Sequence, residues 1–164
     1  MIKCQDLIGK PIITMNRGEI IAKVKDVLID PTQFEIAALV LPPTKMFSKQ
    51  TMVVPGNVVH VLGKDVVLVK SNEAMVRDHT LRGIASLLAV VGEMKGCQVA
   101  TEKGVKVGTL NDVLVDDDGK IVGYDLSKVF IAGPIAASKR IPFRATRSIG
   151  PDMIIVDASK IESI

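Results

Sequence analysis

The sequence predicts a mainly β protein that consists of two small six-stranded barrels in tandem, joined by a short helical connector. Valine and isoleucine account for 40 of the 164 residues, whereas there are four Phe, one Tyr and no Trp. Such β-branched side chains favour pleated sheet over helix. The chain also repeats itself, and each repeat is a series of short apolar runs separated by turn residues. A length of 164 residues suits one domain or two very small ones.

Composition and charge exclude several classes of protein. With 48% hydrophobic residues, the chain is too apolar to be disordered, and its longest uncharged apolar run is much too short to span a bilayer. The net charge of +3 is mild and does not require a polyanionic partner. Cys4 and Cys97 lack the spacing of a metal site or a disulfide framework. The amino terminus lacks the pattern of a signal peptide, so the expected location is cytoplasmic.

An internal repeat fixes the number of domains. A shift of 86 residues aligns Gly18–Asp30 with Gly104–Asp116, and both segments contain Asp-Val-Leu followed two residues later by Asp. A shift of 87 residues extends the alignment through the pairs Gly9/Gly96, Thr14/Thr101, Leu39/Leu126, Pro55/Pro142, Gly63/Gly150, Asp65/Asp152 and Val69/Val156. Duplication predicts a first barrel over residues 1–70, a helical connector over residues 71–93 and a second barrel over residues 94–164.

The first repeat divides into strands at its turn residues. Asn16-Arg17-Gly18 predicts a hairpin turn in which glycine supplies a positive φ. Asp30-Pro31-Thr32 favours a second turn, and Pro42-Pro43 begins a loop. The apolar runs between these turns predict strands over Pro11–Met15, Ile20–Ile29, Phe34–Leu41, Met52–Val54, Val58–Leu62 and Asp65–Val69.

The second repeat follows the same order of strands and turns. Asp116-Asp117-Asp118-Gly119 takes the place of the second turn, and Gly133-Pro134 takes the place of the double proline. Its later strands are expected over Ile121–Leu126, Arg140–Ile141, Ala145–Ile149 and Asp152–Val156. Roughly six strands in about 70 residues, nearly all in local hairpins, bury one face and remove exposed edges by curling into a barrel.

The connector contains apolar residues at helical spacing. These residues are Leu81, Ile84, Leu88 and Val91, which are three, four and three residues apart. The spacing predicts a short helix, although Gly83 counts against this prediction. We expect this helix to pack between or against the barrels, since apolar stripes usually face their own core. A partner-binding helix is the alternative.

Short motifs that occur twice in the same order resemble a known family. In the first repeat they are Leu7-Ile8-Gly9-Lys10-Pro11, Gly18, Asp26-Val27-Leu28-Ile29-Asp30, Val53-Val54-Pro55, Val58, Gly63, Asp65 and Val67. In the second they are Gly96, Gly104-Val105-Lys106-Val107-Gly108, Asp112-Val113-Leu114-Val115-Asp116, Ile141-Pro142, Gly150, Asp152 and Ile154. The pattern resembles the PRC-barrel family and covers nearly the whole chain outside residues 71–93. The resemblance implies six-stranded barrels used as docking modules and supplies no active site.

The reactive side chains do not form the pattern of an enzyme. His60 and His79 are the only histidines, and they show neither HExxH spacing nor a nucleophile elbow. His60 is expected on the surface or at a barrel end. Gly104–Gly108 lacks the Lys-Ser/Thr ending and the following helix of a phosphate loop. The sequence therefore predicts no catalytic residue, no metal site and no cofactor.

Two acidic motifs have structural explanations. Asp116–Asp118 resembles part of a calcium loop, but Leu114 would occupy the first ligand position, so a solvated hairpin turn is expected. Asp26 and Asp112 recur because of the duplication, and each is expected to bond a nearby turn backbone or to face solvent.

The best candidate for a binding surface is a group of four cations within nine residues: Lys139, Arg140, Arg144 and Arg147. Arginine binds carboxylates and phosphates through its planar fork, whereas an ordinary solvated face is the structural alternative. The shortage of aromatic residues leaves no platform for stacking bases. The sequence therefore predicts a non-enzymatic adaptor that docks a protein partner of unknown identity, or its own copy in a homo-oligomer. The alternative is an RNA-associated factor in RNA processing or ribosome assembly.

Overall fold

The computed structural model describes residues 1–43 and 51–162, and strands dominate its regular structure. The loop predicted after Pro42-Pro43 lies mainly outside these residues. Up to the end of the connector, the elements are β1 (Ile2–Lys3), α1 (Cys4–Leu7), β2 (Pro11–Thr14), β3 (Ile20–Lys23), β4 (Asp26–Asp30), β5 (Glu35–Val40), β6 (Met52–Pro55), β7 (Val59–Leu62), β8 (Val67–Val69), β9 (Val76–Arg77) and β10 (Leu88–Ala89). The rest are β11 (Gln98–Thr101), β12 (Lys106–Val115), β13 (Ile121–Val129), α2 (Pro134–Ser138), β14 (Arg140–Pro142), β15 (Thr146–Ile149), β16 (Met153–Val156) and α3 (Ala158–Glu162). The predicted mainly β fold is confirmed.

The two halves of the chain contain equivalent strand ladders. The first half forms two sheets, with orders β3-β2-β8-β7 and β10-β4-β5-β6-β9, and the second half forms the sheet β14-β13-β12-β11-β16-β15, to which β1 adds at β12. In the described part of each half there is one parallel pair: Ile12 faces Val67 in β2–β8, and Val99 faces Ile154 in β11–β16. Both pairs are related by the shift of 87 residues, so the repeat in the sequence is also a repeat of the fold.

The expectation of closed six-stranded barrels is not met in the described residues, because no ladder closes any of the sheets. In the first half, the single strand expected over Ile20–Ile29 is divided at Val24. The backbone of Val24 pairs instead with the loop of Gly9 and Lys10, at 2.8 and 3.0 Å. The sheet of the second half stays open between β14 and β15, which we call the seam. Pro142 ends β14 and has no amide proton to donate.

The open sheet of the second half nevertheless curls. Its two end strands, β14 and β15, are joined by the three-residue 3₁₀ turn Phe143–Ala145. The hydroxyls of Tyr124 on β13 and Thr146 on β15 lie 2.6 Å apart, although these strands are separated by three others in the sheet order. Burial raises the pKa of Tyr124 to about 12. The sheet therefore encloses a core, as a barrel does, without closing its hydrogen-bond ring.

The short helix predicted in the connector is not formed. Residues 71–93 contain 3₁₀ turns at Asn72–Ala74, Asp78–Thr80 and Ile84–Ser86, followed by the start of a π-helical turn at Val90–Met94. Gly83 has a left-handed φ of 67°, which a right-handed helix does not accommodate. The open edges of β6 and β4 are instead paired by β9 and β10. Of the four apolar residues at helical spacing, Leu88 is buried in a paired strand, whereas Leu81 and Ile84 are half-buried and Val91 is exposed.

One pair of the sequence alignment is not equivalent in the structure. Leu39 faces Val27, whereas Leu126 faces Leu110. The residue that faces Val113, the counterpart of Val27, is Tyr124. The hairpin turn after β12 is one residue shorter than the turn after β4. The loop before β14 is longer than the loop before β6 and restores the shift of 87 residues, so the sequence alignment did not reveal the difference.

The larger of two buried clusters among the described residues runs through both halves. It includes Leu7, Val27 and Leu39 from the first half, and Val113 and Tyr124 from the second. Small branched side chains supply most of it, in keeping with the composition. The continuous core fixes the two halves against each other.

Candidate interaction surface

The four predicted cations lie on both sides of the seam. Lys139 follows α2 with a left-handed φ of 55°, and Arg140 begins β14. Arg144 lies in the 3₁₀ turn that joins the two end strands, and Arg147 lies in β15. All four residues are exposed. We call this group the basic face.

Two of the four cations are paired with carboxylates. Nε of Arg140 lies 3.9 Å from Oδ1 of Asp125, and Nη2 of Arg147 lies 3.5 Å from Oδ2 of Asp157. Hydrogen bonds donated by Ser159, together with the charge of Arg147, lower the pKa of Asp157. Exposed ion pairs of this kind add little to stability. Four cations against two carboxylates leave the face positive.

The duplication provides an internal comparison for the basic face. Val53 faces Val40 in the first half, as Arg140 faces Asp125 in the second. The positions of Lys139, Arg140, Arg144 and Arg147 are held in the first half by Met52, Val53, Asn57 and His60. Equivalent backbone is thus built without arginine or lysine, so the fold does not require the four cations.

The repeated aspartates join the two halves, a role that the sequence interpretation missed. Both carboxylate oxygens of Asp112 accept from the amide of Gln5 in α1, at 3.2 Å. Asp26 accepts from the amides of Val91 and Gly92 in the π-helical turn, at 3.0 and 2.9 Å. The expected bond to a turn backbone exists, but the turn belongs to the other half. The only signal in the sequence was a charged residue repeated inside an apolar strand.

Short strands are exchanged at the same places. β1 pairs with β12, where Ile2 faces Val115, and β10 pairs with β4, where Leu88 faces Ile29. Val115 and Ile29 occupy equivalent positions in the repeat. The segment that precedes each half therefore completes the sheet of the other half.

Neither cysteine has the surroundings of a reactive thiol. Cys4 is fully buried, and burial, followed by the charges of Asp112 and Asp26, raises the pKa of its thiol. Cys97 is half-buried, and burial raises the pKa of its thiol as well. A raised pKa keeps a thiol in its unreactive protonated form, so both residues serve packing.

Comparison with known proteins decides the family. A family model described as PRC-barrel domain matches residues 1–76 and 91–162. The chain belongs to the PRC-barrel family. The resemblance carried by the repeated motifs is thereby confirmed for both repeats. No curated protein matches the chain.

An acidic cleft lies between the two PRC-barrel repeats. Oδ1 of Asp116 accepts from the amides of Asp118 and Lys120, at 2.9 and 3.0 Å, and so forms part of the hairpin turn. Asp117 and Asp118 line a cavity of about 190 Å³ together with His60. Within residues 1–43 and 51–162, no three His, Cys, Asp or Glu side chains are grouped so that they could hold a metal ion.

The two histidines of this PRC-barrel protein are exposed. His60 lies on β7 and His79 in the 3₁₀ turn after β9. The surface position expected for His60 is confirmed. In the part of the chain that the structure describes, none of the helices has the length and apolar character needed to cross a membrane.

Proposed function

We propose that this PRC-barrel protein is a non-enzymatic adaptor that docks a protein partner through the basic face. The observation that carries the proposal is the difference in charge between equivalent positions of one duplicated fold. Cations occupy in the second repeat the positions that Met52, Val53, Asn57 and His60 occupy in the first. Because the fold does not need these charges, they are available for recognition.

The chemistry of the basic face favours an acidic protein. Among the described residues, Lys139 and Arg144 form no ion pair. The guanidinium of Arg144 presents a planar set of donors that matches a carboxylate. Interaction is also the general role of PRC-barrel domains. We infer that acidic side chains of the partner displace water from this face.

Affinity purification from the native host tests the proposal, with proteins and nucleic acids identified in the same eluate. The baits are the wild type, the variant Arg140→Ala/Arg144→Ala, and the control Lys23→Ala/Lys25→Ala, which removes two exposed cations of the first repeat. We expect one stoichiometric protein with the wild type and the control but not with the basic-face variant. Recovery of the same proteins with all three baits would contradict the proposal.

RNA is the second candidate partner, because a positive exposed face also attracts phosphates. The aromatic ring of Phe143, in the turn between β14 and β15, packs edge-on against Phe34 with ring centroids 5.2 Å apart, so it is engaged within the protein. A factor for RNA processing or ribosome assembly would bind structured RNA with an affinity that falls steeply with salt. That binding would be lost in Arg140→Ala/Arg144→Ala. Recovery of protein without RNA supports the adaptor.

We place the adaptor in the cytoplasm, where thiols stay reduced, since Cys4 and Cys97 are both free. Cell fractionation tests this location. Light scattering of the purified protein tests whether a second copy takes the place of the protein partner.

A further inference from the structure

The edge of β14 is open, whereas the equivalent edge in the first repeat is covered. β6 lies between β5 and β9, but its counterpart β14 is paired in the described residues with β13 alone. After β16 the chain turns into α3, and the described residues of the second repeat contain no strand like β9. Among the described residues, the same edge is thus occupied in the first repeat and unoccupied in the second.

The occupied version shows what fits this edge. β9 runs antiparallel to β6, with Arg77 opposite Met52 and Val76 opposite Val53. The amide of Asp78 extends the pairing to the carbonyl of Thr51, at 3.0 Å. A short extended segment is therefore sufficient to cover the edge.

The backbone of β14 presents the same groups toward its open side. The amide of Leu126 bonds the carbonyl of Lys139 at 2.8 Å, which directs that carbonyl toward β13. Because alternate residues of a strand direct their amides and carbonyls to opposite sides, the amide and carbonyl of Arg140, the first residue of β14, face the open side. In the first repeat the amide of Leu41 likewise donates to the carbonyl of Met52, at 3.0 Å.

Within residues 1–43 and 51–162, the outward groups of Arg140 contact only a local side chain. Its amide donates to the hydroxyl of Ser138 at 3.3 Å, and that hydroxyl lies 3.5 Å from the carbonyl of Arg140. Both contacts are longer than a usual hydrogen bond. Ser138, Lys139 and Arg140 are exposed, so an incoming strand can replace these contacts with ladder bonds.

We propose that an extended acidic segment of the protein partner adds to β14 as an antiparallel strand. An exposed strand edge is a template for strand addition, and main-chain bonds supply affinity while side chains supply selectivity. In the register of β9, the added residues lie opposite Lys139 and Arg140, where β9 meets the uncharged Met52 and Val53. Acidic side chains at these positions meet cations. This inference rests on the proposed function and names its binding mode.

The test uses the full-length protein and a fluorescent synthetic peptide with the sequence of residues 71–80 in which Val76 and Arg77 are both replaced by Glu, opposite Arg140 and Lys139 in the register of β9. The control peptide keeps Val76 and Arg77. We expect the acidic peptide to bind more tightly, and Lys139→Ala/Arg140→Ala to weaken its binding about tenfold, the effect of two exposed ion pairs. The control variant Lys128→Ala, which changes an exposed residue of β13, should bind normally.

Amide hydrogen exchange, followed by NMR, distinguishes strand addition from simple charge attraction. We expect the bound peptide to slow exchange of the Arg140 amide. Binding without this protection would overturn strand addition and leave the adaptor function standing, because that function depends on the affinity purification. Absence of peptide binding would also overturn strand addition by the partner. Association of two copies of the protein through this edge would overturn it as well.

Discussion

Asp112 and Asp26 connect the two repeats through single side chains, each of which accepts backbone amides of the opposite repeat. Both also accept from the amide that follows them, Val113 at 2.8 Å and Val27 at 2.7 Å. Asp112 is only 2% exposed, so water cannot readily replace its carboxylate. The aspartates act as structural residues, and their repetition reflects the reciprocal contact.

Replacing Asp112 should therefore cost stability. Asp112→Ala leaves the amides of Gln5 and Val113 without their acceptor, and we expect a loss of about 2 kcal/mol in the free energy of unfolding. Urea unfolding followed by far-ultraviolet circular dichroism measures it, since the chain has no Trp. Asp152→Ala, at an exposed position, is the matched control. Equal losses in the two variants would be inconsistent with the contact described.

The ionisation of Asp112 should make stability depend on pH. Burial raises the pKa of Asp112, although bonds from Gln5 and Val113 act in the opposite direction. A carboxyl whose pKa is higher in the folded state stabilises the fold fully below its unfolded pKa, and this contribution is lost as pH rises through the folded pKa.

Asp112→Asn cannot ionise, so it should gain stability relative to the wild type as pH rises from about 3 to about 7. Urea unfolding of both proteins across this range measures the difference. A difference that stays constant, or that shifts toward the wild type, would contradict the assignment.

At the scale of elements, the strands of each repeat and their local hairpin partners were largely predictable, but the pairings between distant segments were not. Apolar runs, Gly18 and the prolines that end β6 and β14 locate most of the predicted strands within a residue or two. However, Ile20–Ile29 is divided into two strands and β13 extends three residues beyond Leu126.

The prediction of a helix in the connector was wrong. Leu81, Ile84 and Leu88 fit helical spacing, but the edge of β4 offers Leu88 a strand partner. Local spacing contains no information about a distant open edge.

The pairing of β13 with β14 positions the basic face. The two strands approach so closely at Gly123 that a side chain there would collide with β14. A Cβ at Gly123 would lie 2.8 Å from the carbonyl oxygen of Ile141. Gly123→Ala should therefore push β14 outward and cost about 2 kcal/mol. Thermal unfolding measures the loss. The control is Gly150→Ala, where the nearest atom, the oxygen of Met153, is 3.5 Å away; a loss as large there would refute the argument.

At the scale of the whole molecule, the exchanged strands and the continuous core make the two repeats one structural unit. The duplication was readable in the sequence, but the exchange was not, because it joins residues as far apart as Gln5 and Asp112. The four cations of the basic face were also readable as a run. Their position along an open seam, and the uncharged residues at the equivalent places, required the structure.

Cutting the connector should leave the molecule assembled. A protease site inserted between the exposed residues Arg82 and Gly83 would separate the chain into two fragments. Because β1 completes the second repeat and β10 the first, we expect the fragments to elute together in size-exclusion chromatography and to unfold in one transition. Fragments that separate in native buffer would show that the exchange is too weak to unite the repeats.

Hydrogen exchange of the complex with the captured protein partner tests most directly whether the basic face is the docking surface. The full-length protein, alone and bound, is compared peptide by peptide by mass spectrometry. We expect slower exchange over residues 138–149 and little change at the equivalent residues 51–62 of the first repeat. Protection confined to other surfaces, or equal protection of both segments, would contradict docking through Lys139, Arg140, Arg144 and Arg147.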